Sequence, residues 1–203
     1  MELRAKINTI IINGKWNKRI FTPEWINKFL LPEEKNLIID VILDDEVAMK
    51  VSSKSIGIQT TDARLCIINY GITDEIYQQV EEVVFKIADY LPHTPVKTFG
   101  VNFAYSTEIN EAVLALIKTQ YSQIIKDNEY PVSKEYFRYN FQYDEQDINM
   151  IISVDYTKNK IDYNVNFNYI IKTLTDVKTH LDSYGILKCK KAAIKIVNQI
   201  YNE

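Results

Sequence analysis

His93 is the residue whose type best suits acid–base chemistry, since an unperturbed imidazole titrates near pH ~6.5. It lies between two prolines in Leu91-Pro92-His93-Thr94-Pro95-Val96. A general base also needs a partner to activate, and no Ser, Cys or acid is paired with it locally. An imidazole bonded to the last carbonyls of the preceding helix explains it without catalysis. His180 follows Asp176 by four residues, so one helical face holds both; a metal site needs three or more ligands, and a surface ion pair is the simpler expectation. Cys66 stands in an apolar strand as a small hydrophobe. Cys189 has Lys188, Lys190 and Lys191 beside it, which could lower a thiol pKa, yet it falls on an apolar helix face where packing is the expected role.

Two acidic clusters, Asp44-Asp45-Glu46 and Asp144-Glu145-Gln146-Asp147, each sit between two strand patterns. Neighbouring carboxylates can bind a divalent cation, but these lack the spacing and the glycine of a calcium hand, so solvated hairpin turns are expected. Lys188, Lys190, Lys191 and Lys195 form a basic stripe on the last helix. It could meet phosphates, and it also fits the outer face of an ordinary surface helix. The five glycines are scattered singly, which excludes a phosphate-cradling loop, and no Gly-x-Ser-x-Gly elbow occurs. No catalytic residue, metal set or cofactor is expected.

The third kind of chemistry on offer is hydrogen-bonded recognition. Asn102, Arg138, Asn140, Ser153, Asp155, Asn164, Asn166 and Asn168 occupy the polar positions of alternating stretches and are expected on one sheet face. With His93, the residues Asn102, Arg138, Asn140, Asp155, Asn164 and Asn166 are the binding candidates. A solvated sheet face would explain the same residues.

The elements that position these groups follow from periodicity. Ile76, Val80, Val83, Val84 and Ile87 mark one face of a helix, with Thr73 as N-cap candidate, Asp74 and Glu75 at the positive end of the dipole, and Pro92 and Pro95 beyond its end. Val101, Phe103 and Tyr105 then alternate with Gly100, Asn102 and Ala104 as a strand. Before this junction the expected strands are 7–13, 37–43, 47–52, 55–60 and 64–70, with a turn at Asn13-Gly14 and a short helix from Thr22-Pro23-Glu24-Trp25. Leu37 to Leu43 is apolar enough to be buried on both faces. After the junction come a helix over 110–126, three strands around 136–143, 149–156 and 161–169, and helices over 175–184 and 187–201.

Both halves, 1–97 and 98–203, therefore run strand, helix, antiparallel strands, helix. The expectation is an α+β fold, a tandem repeat in one compact unit, with helices on one face of an antiparallel sheet. Ile10–Ile12, Ile38-Ile39 and Ile67-Ile68 offer apolar residues to both faces of the first half, so something must cover its second face.

Two resemblances follow from these residues. Leu91-Pro92-His93-Thr94-Pro95-Val96, Gly100-Val101-Asn102-Phe103 and Phe21-Thr22-Pro23-Glu24-Trp25 resemble short segments of bacterial proteins of similar length; this implies a bacterial origin and no activity. The tandem layout is similar to the duplicated α+β saddles of the TATA-binding type, a likeness of fold alone. The chain of 203 residues has a net charge of −3 and no dense basic lining, which disfavours nucleic acid as a partner.

A hydrophobic content of 46% supports a sizeable core. Two distant cysteines fit a reducing cytoplasm, and no apolar run is long enough for a signal peptide or a membrane span. The sequence thus points to a non-catalytic protein of a bacterial cytoplasmic complex, assembling with itself or another protein. The alternative is a ligand- or nucleic-acid-binding module using the polar sheet face.

Overall fold

The computed structural model describes residues 1–43, 47–117 and 132–201. Its strands are β1 (Glu2–Leu3), β2 (Ile7–Gly14), β3 (Ile38–Leu43), β4 (Val47–Ser52), β5 (Ile56–Thr60), β6 (Arg64–Asn69), β7 (Val96–Glu108), β8 (Lys134–Tyr143), β9 (Gln146–Asp155) and β10 (Lys160–Ile170). The described helices are α1 (Pro23–Trp25), α2 (Asp74–Tyr90), α3 (Glu111–Ile117), α4 (Leu174–Ser183) and α5 (Ile186–Tyr201). The fold is α+β, as expected, and all the strands join one ten-stranded antiparallel sheet.

Strand order is β3-β4-β5-β6-β2-β7-β10-β9-β8, with β1 added alongside β7. The order reads as a mirror about the β2–β7 pair. On each side the first strand of a half is central, its last strand lies next, and the earlier strands lead outward; β3 is the extra strand at one end. One sheet thus runs through both halves, and the expected boundary at 97/98 falls just inside β7.

Alternation decides which side chains enter the core. Ile10 and Ile12 of β2, Phe99, Val101, Phe103 and Tyr105 of β7, and Tyr163, Val165 and Phe167 of β10 are buried against the helices. From α2, Tyr77, Val80, Val83, Val84 and Ile87 close on them; Cys189, Ala193 and Val197 do the same from α5. Across the helix layer α2 is tied to its neighbours: Glu81 Oε2 accepts the Ile186 amide at 2.7 Å, Lys178 reaches Asp89 at 2.6 Å and Lys190 reaches Asp74 at 2.8 Å.

Helix starts follow the local chemistry. Thr22 Oγ1 accepts the Trp25 amide at 3.2 Å with Pro23 at the first helical position, and α1 passes into a π-helical turn, Ile26–Leu30, ahead of Pro32. Thr173 and Asp176 form a reciprocal capping box on α4. Thr73 has the extended backbone of an N-cap, but its hydroxyl takes no amide of α2, so that part of the expectation is corrected. Asn13 and Gly14 do not turn; both remain in β2, with a register shift between them opposite β7. The acidic hairpin at 144–147 is a two-residue turn in which Asp144 and Glu145 take left-handed φ of 50° and 62°, the geometry that suits a β-hairpin's twist.

One expectation is overturned with consequence. Leu37 to Leu43 read as a strand buried on both faces, whereas β3 is the outermost strand of the sheet. Ile38, Ile39 and Val41 are 63%, 52% and 65% exposed. A continuous apolar run does not distinguish a central strand from an edge, because its periodicity is the same in both. The second face of the first half is not left bare in the same way: Cys66 and Ala48 are buried there, and Ile11 and Ile68 are half-buried. The expected acidic cluster at 44–46 and the helix beyond residue 117 lie outside the described residues.

Candidate functional site

Four asparagines stand in one row across four strands on the face away from the helices. Register places Asn140 of β8 opposite Asn149 of β9, Asn149 opposite Asn166 of β10, and Asn166 opposite Asn102 of β7. Same-face neighbours in adjacent strands lie close enough for direct contact. Asn166 Nδ2 donates to Asn102 Oδ1 at 2.8 Å, and Asn102 Nδ2 lies 3.5 Å from the Thr9 carbonyl oxygen of β2. Gly100 makes this possible, because a Cβ there would stand 2.7 Å from Asn166 Nδ2. Asn149 Oδ1 differs from the others: it is buried and accepts no hydrogen bond among the described residues.

Two grooves flank the row and share Asn149. One, of about 290 Å³, is lined by Asn8, Ile11, Asn102, Asn149, Asn164 and Asn166 among others. The other, of about 340 Å³, is lined by Asn140, Gln142, Asp147, Asn149 and Asn168. An amide presents two donors and an acceptor without charge, so this surface can pair with hydroxyls, amides or base edges.

Of the candidates, Asn102, Asn140, Asn164 and Asn166 are brought together. Arg138 joins them at the sheet edge, in the row Arg138, Ile151, Asn164, Ala104. Asp155 is set apart, six residues along β9 from Asn149, or about 20 Å at the rise of a strand. Its carboxylate is engaged in the β9–β10 turn, accepting from Thr157 Oγ1 at 2.6 Å and from the Thr157 and Lys158 amides at 3.1 Å, with Lys134 Nζ at 3.2 Å. The Thr157 hydroxyl foremost, then Lys134, holds this carboxyl down at about 2. Asn149 belongs to the site although the sequence reading passed over it; its signal was present, since it alternates with Ile148 and Met150 in β9.

His93 lies elsewhere, exposed in a pocket of about 330 Å³ that includes Trp16, Phe21, Tyr90 and Pro95. Among the described residues no acid or nucleophile bonds to its ring, and the α2 end is closed instead by the Leu91 amide on the Ile87 carbonyl at 2.9 Å. His180 packs against Tyr169 with ring centroids 4.5 Å apart and planes tilted by 34°, and the Asp176 carboxylate accepts the Lys172 and Thr173 amides. Among the described residues no group of three or more His, Cys, Asp and Glu is placed to hold a metal ion. Burial pushes the Cys189 thiol up to about 12 and also raises Cys66, the reverse of what an activated nucleophile needs. Of the α5 lysines, Lys190 bonds Asp74 and the Ile72 carbonyl, Lys188 bonds the Ser183 carbonyl and Lys195 lies 5.7 Å from the Tyr143 ring centroid, while Lys188, Lys191 and Lys195 remain exposed on the outer face of the helix.

No protein-family model matches the chain, and no curated protein matches it in sequence. Among the described residues no helix is long and apolar enough to cross a membrane.

Proposed function

We propose that this is a non-catalytic assembly protein of a bacterial cytoplasmic complex, joining itself or another protein through the outer edge of β3. The observation that carries the reading is the exposure of Ile38, Ile39 and Val41 on an edge strand. Edge strands present unpaired backbone amides and carbonyls, and soluble proteins blunt them with lysine, proline, bulges or cover. Among the described residues β3 has none of these devices, and its one charge, Asp40, is met within the chain by Lys50 at 2.7 Å. The mirrored strand order also supports an origin by duplication of a strand–helix–strands–helix unit. Native mass spectrometry of protein purified gently from its own host tests the reading. A mass above one chain, or a second polypeptide, is the expected result; a bare monomer at high concentration overturns it.

A second reading is favoured by one separate observation, the Oδ1 of Asn149 in the asparagine row, which is unpaired among the described residues. In this reading the open face binds an uncharged, hydrogen-bonding ligand across β7–β10. Replacing Arg138 and Asn166 together would then release any small mass carried by the monomer, and retention of that mass would exclude the face.

A further inference from the structure

We infer that the pocket around His93 binds a small aromatic carboxylate, its ring against Tyr90 and its charge on Lys15. The site goes beyond the assembly reading and does not depend on it. It also shares no lining residue with the two grooves of the asparagine face.

Two stretches far apart in sequence build this pocket. Lys15, Trp16 and Phe21 follow β2, and Tyr90, His93 and Pro95 belong to the end of α2 and its link to β7. The stretches are locked together, because the Lys15 amide donates to the Pro95 carbonyl at 2.8 Å. Gly14 permits that approach, since a Cβ there would stand 2.4 Å from the same oxygen. Within the link, the Thr94 amide donates to the Leu91 carbonyl at 3.0 Å. The walls are thus held in place by the fold itself, as in most small-molecule sites.

The aromatic lining belongs to one run of rings that begins and ends at the pocket. Trp16 meets Phe21 at 5.9 Å between centroids, and Phe21 meets Trp25 at 5.3 Å. Trp25 meets Phe29 at 5.4 Å, and Phe29 meets Tyr90 at 4.9 Å. Trp16 and Phe21 are buried and form an apolar floor, with the Trp16 indole N–H spent on the Ile12 carbonyl at 3.1 Å. Tyr90 is 51% exposed, so ring surface remains open at the end of the run. A ligand ring set against it gains the edge-to-face attraction that an aliphatic group of equal area lacks.

Charge selects the rest of the ligand. Lys15 and His93 line the pocket, one from each stretch, and no carboxylate lines it. Among the described residues neither side chain makes a hydrogen bond or an ion pair. A cation would meet only Lys15 and His93 here, and a bare inorganic anion would leave the apolar floor unused. A phosphate dianion is opposed by the negative carbonyl end of α2, which closes at Tyr90 beside the pocket. One negative charge on one or two fused rings fits the space: the pocket measures about 330 Å³, and an apolar cavity of roughly 150 Å³ holds benzene.

The test titrates the full chain with 1-naphthylacetate, its uncharged carboxamide and cyclohexylacetate, followed by proton–nitrogen NMR. Naphthylacetate should shift the Trp16 indole and the Leu91, His93 and Thr94 amides, and should bind about fivefold or more tightly than either other probe. Lys15→Gln should weaken naphthylacetate about fivefold and leave the carboxamide unchanged. Tyr90→Leu should weaken both naphthyl compounds, whereas Tyr90→Phe, which keeps the ring, should bind as wild type. Both positions are exposed, and thermal melts confirm that each variant folds. The proposal is overturned by any of four results: no saturable shift by about 10 mM naphthylacetate, shifts confined to other parts of the chain, equal binding of acid and carboxamide, or no effect of Lys15→Gln. A blocked Glu-Phe dipeptide binding about tenfold more tightly than naphthylacetate would make this a peptide site and also overturns it.

Discussion

Asn166 donates its side-chain amide to Asn102 at 2.8 Å across the β10–β7 ladder, in space that exists because residue 100 has no side chain. Gly100→Ala would put a methyl 2.7 Å from that amide nitrogen. The obstructed atom is the far end of a side chain, so it can swing away at the loss of one hydrogen bond, about 1 kcal/mol. Alanine recovers part of this by restricting the unfolded chain. Gly14 is the contrasting case: its added Cβ would meet the Pro95 carbonyl oxygen at 2.4 Å and the Val96 Cα at 3.0 Å, backbone atoms that cannot move alone. Urea unfolding should therefore show Gly100→Ala within about 1 kcal/mol of wild type and Gly14→Ala lower by about 2 kcal/mol or more. Equal losses would remove the distinction.

Asp155 should carry an acid limb of stability. Its folded-state carboxyl is depressed from an ordinary 3.8 to about 2, first by the Thr157 hydroxyl and then by Lys134. A depressed carboxyl stabilises the fold at pH values above its ordinary one, and that contribution disappears as pH falls through about 2. Asp155→Asn should thus melt below wild type at neutral pH, with the gap closing between about pH 4 and pH 2. Thermal melts of both proteins across that range check it; a gap independent of pH would contradict the assignment.

Glu81 joins the helices of the two halves. It is partly buried on α2 and receives the Ile186 amide at 2.7 Å, where the positive end of the α5 dipole also favours a carboxylate. Glu81→Ala should cost about 1–2 kcal/mol, and Glu81→Gln, which keeps an acceptor without the charge, should recover about half. Denaturant midpoints should fall with the m-value unchanged, the sign of lost stability without an altered unfolded state.

Much of this architecture was legible in local pattern. The alternation of Val101, Phe103 and Tyr105, the i, i+4, i+7 stripe of α2 and the Thr22-Pro23 start gave element type and inward face, because these depend on neighbours in the chain. Strand order was not legible. β2 and β7 meet at the centre through residues about ninety apart, and nothing local marks that pairing. The same gap hid the role of β3, since Ile38, Ile39 and Val41 look alike in a core strand and at an edge. It also hid the asparagine row: Asn102, Asn140 and Asn166 each read as polar-face residues, but their alignment depends on three registers, and Asn149 enters only once those are known.

That last residue offers a direct test of whether the open face binds anything. A buried acceptor left without a donor costs about 1–3 kcal/mol, and Asn149 Oδ1 is such an acceptor among the described residues. Leucine has nearly the same shape and no acceptor, so Asn149→Leu should leave stability unchanged or raise it by up to about 1 kcal/mol. Asn166→Leu should instead lower it by about 1–2 kcal/mol, because it deletes a bond that is made and orphans Asn102 Oδ1. Thermal melts of the two variants decide this first part. The second part is binding: a residue that lowers stability and sits between two grooves is placed as a recognition group would be. If the protein purified from its host carries a small ligand, Asn149→Leu should lose that mass while remaining folded. A variant that is stabilised and still carries the ligand would take the asparagine row out of function altogether.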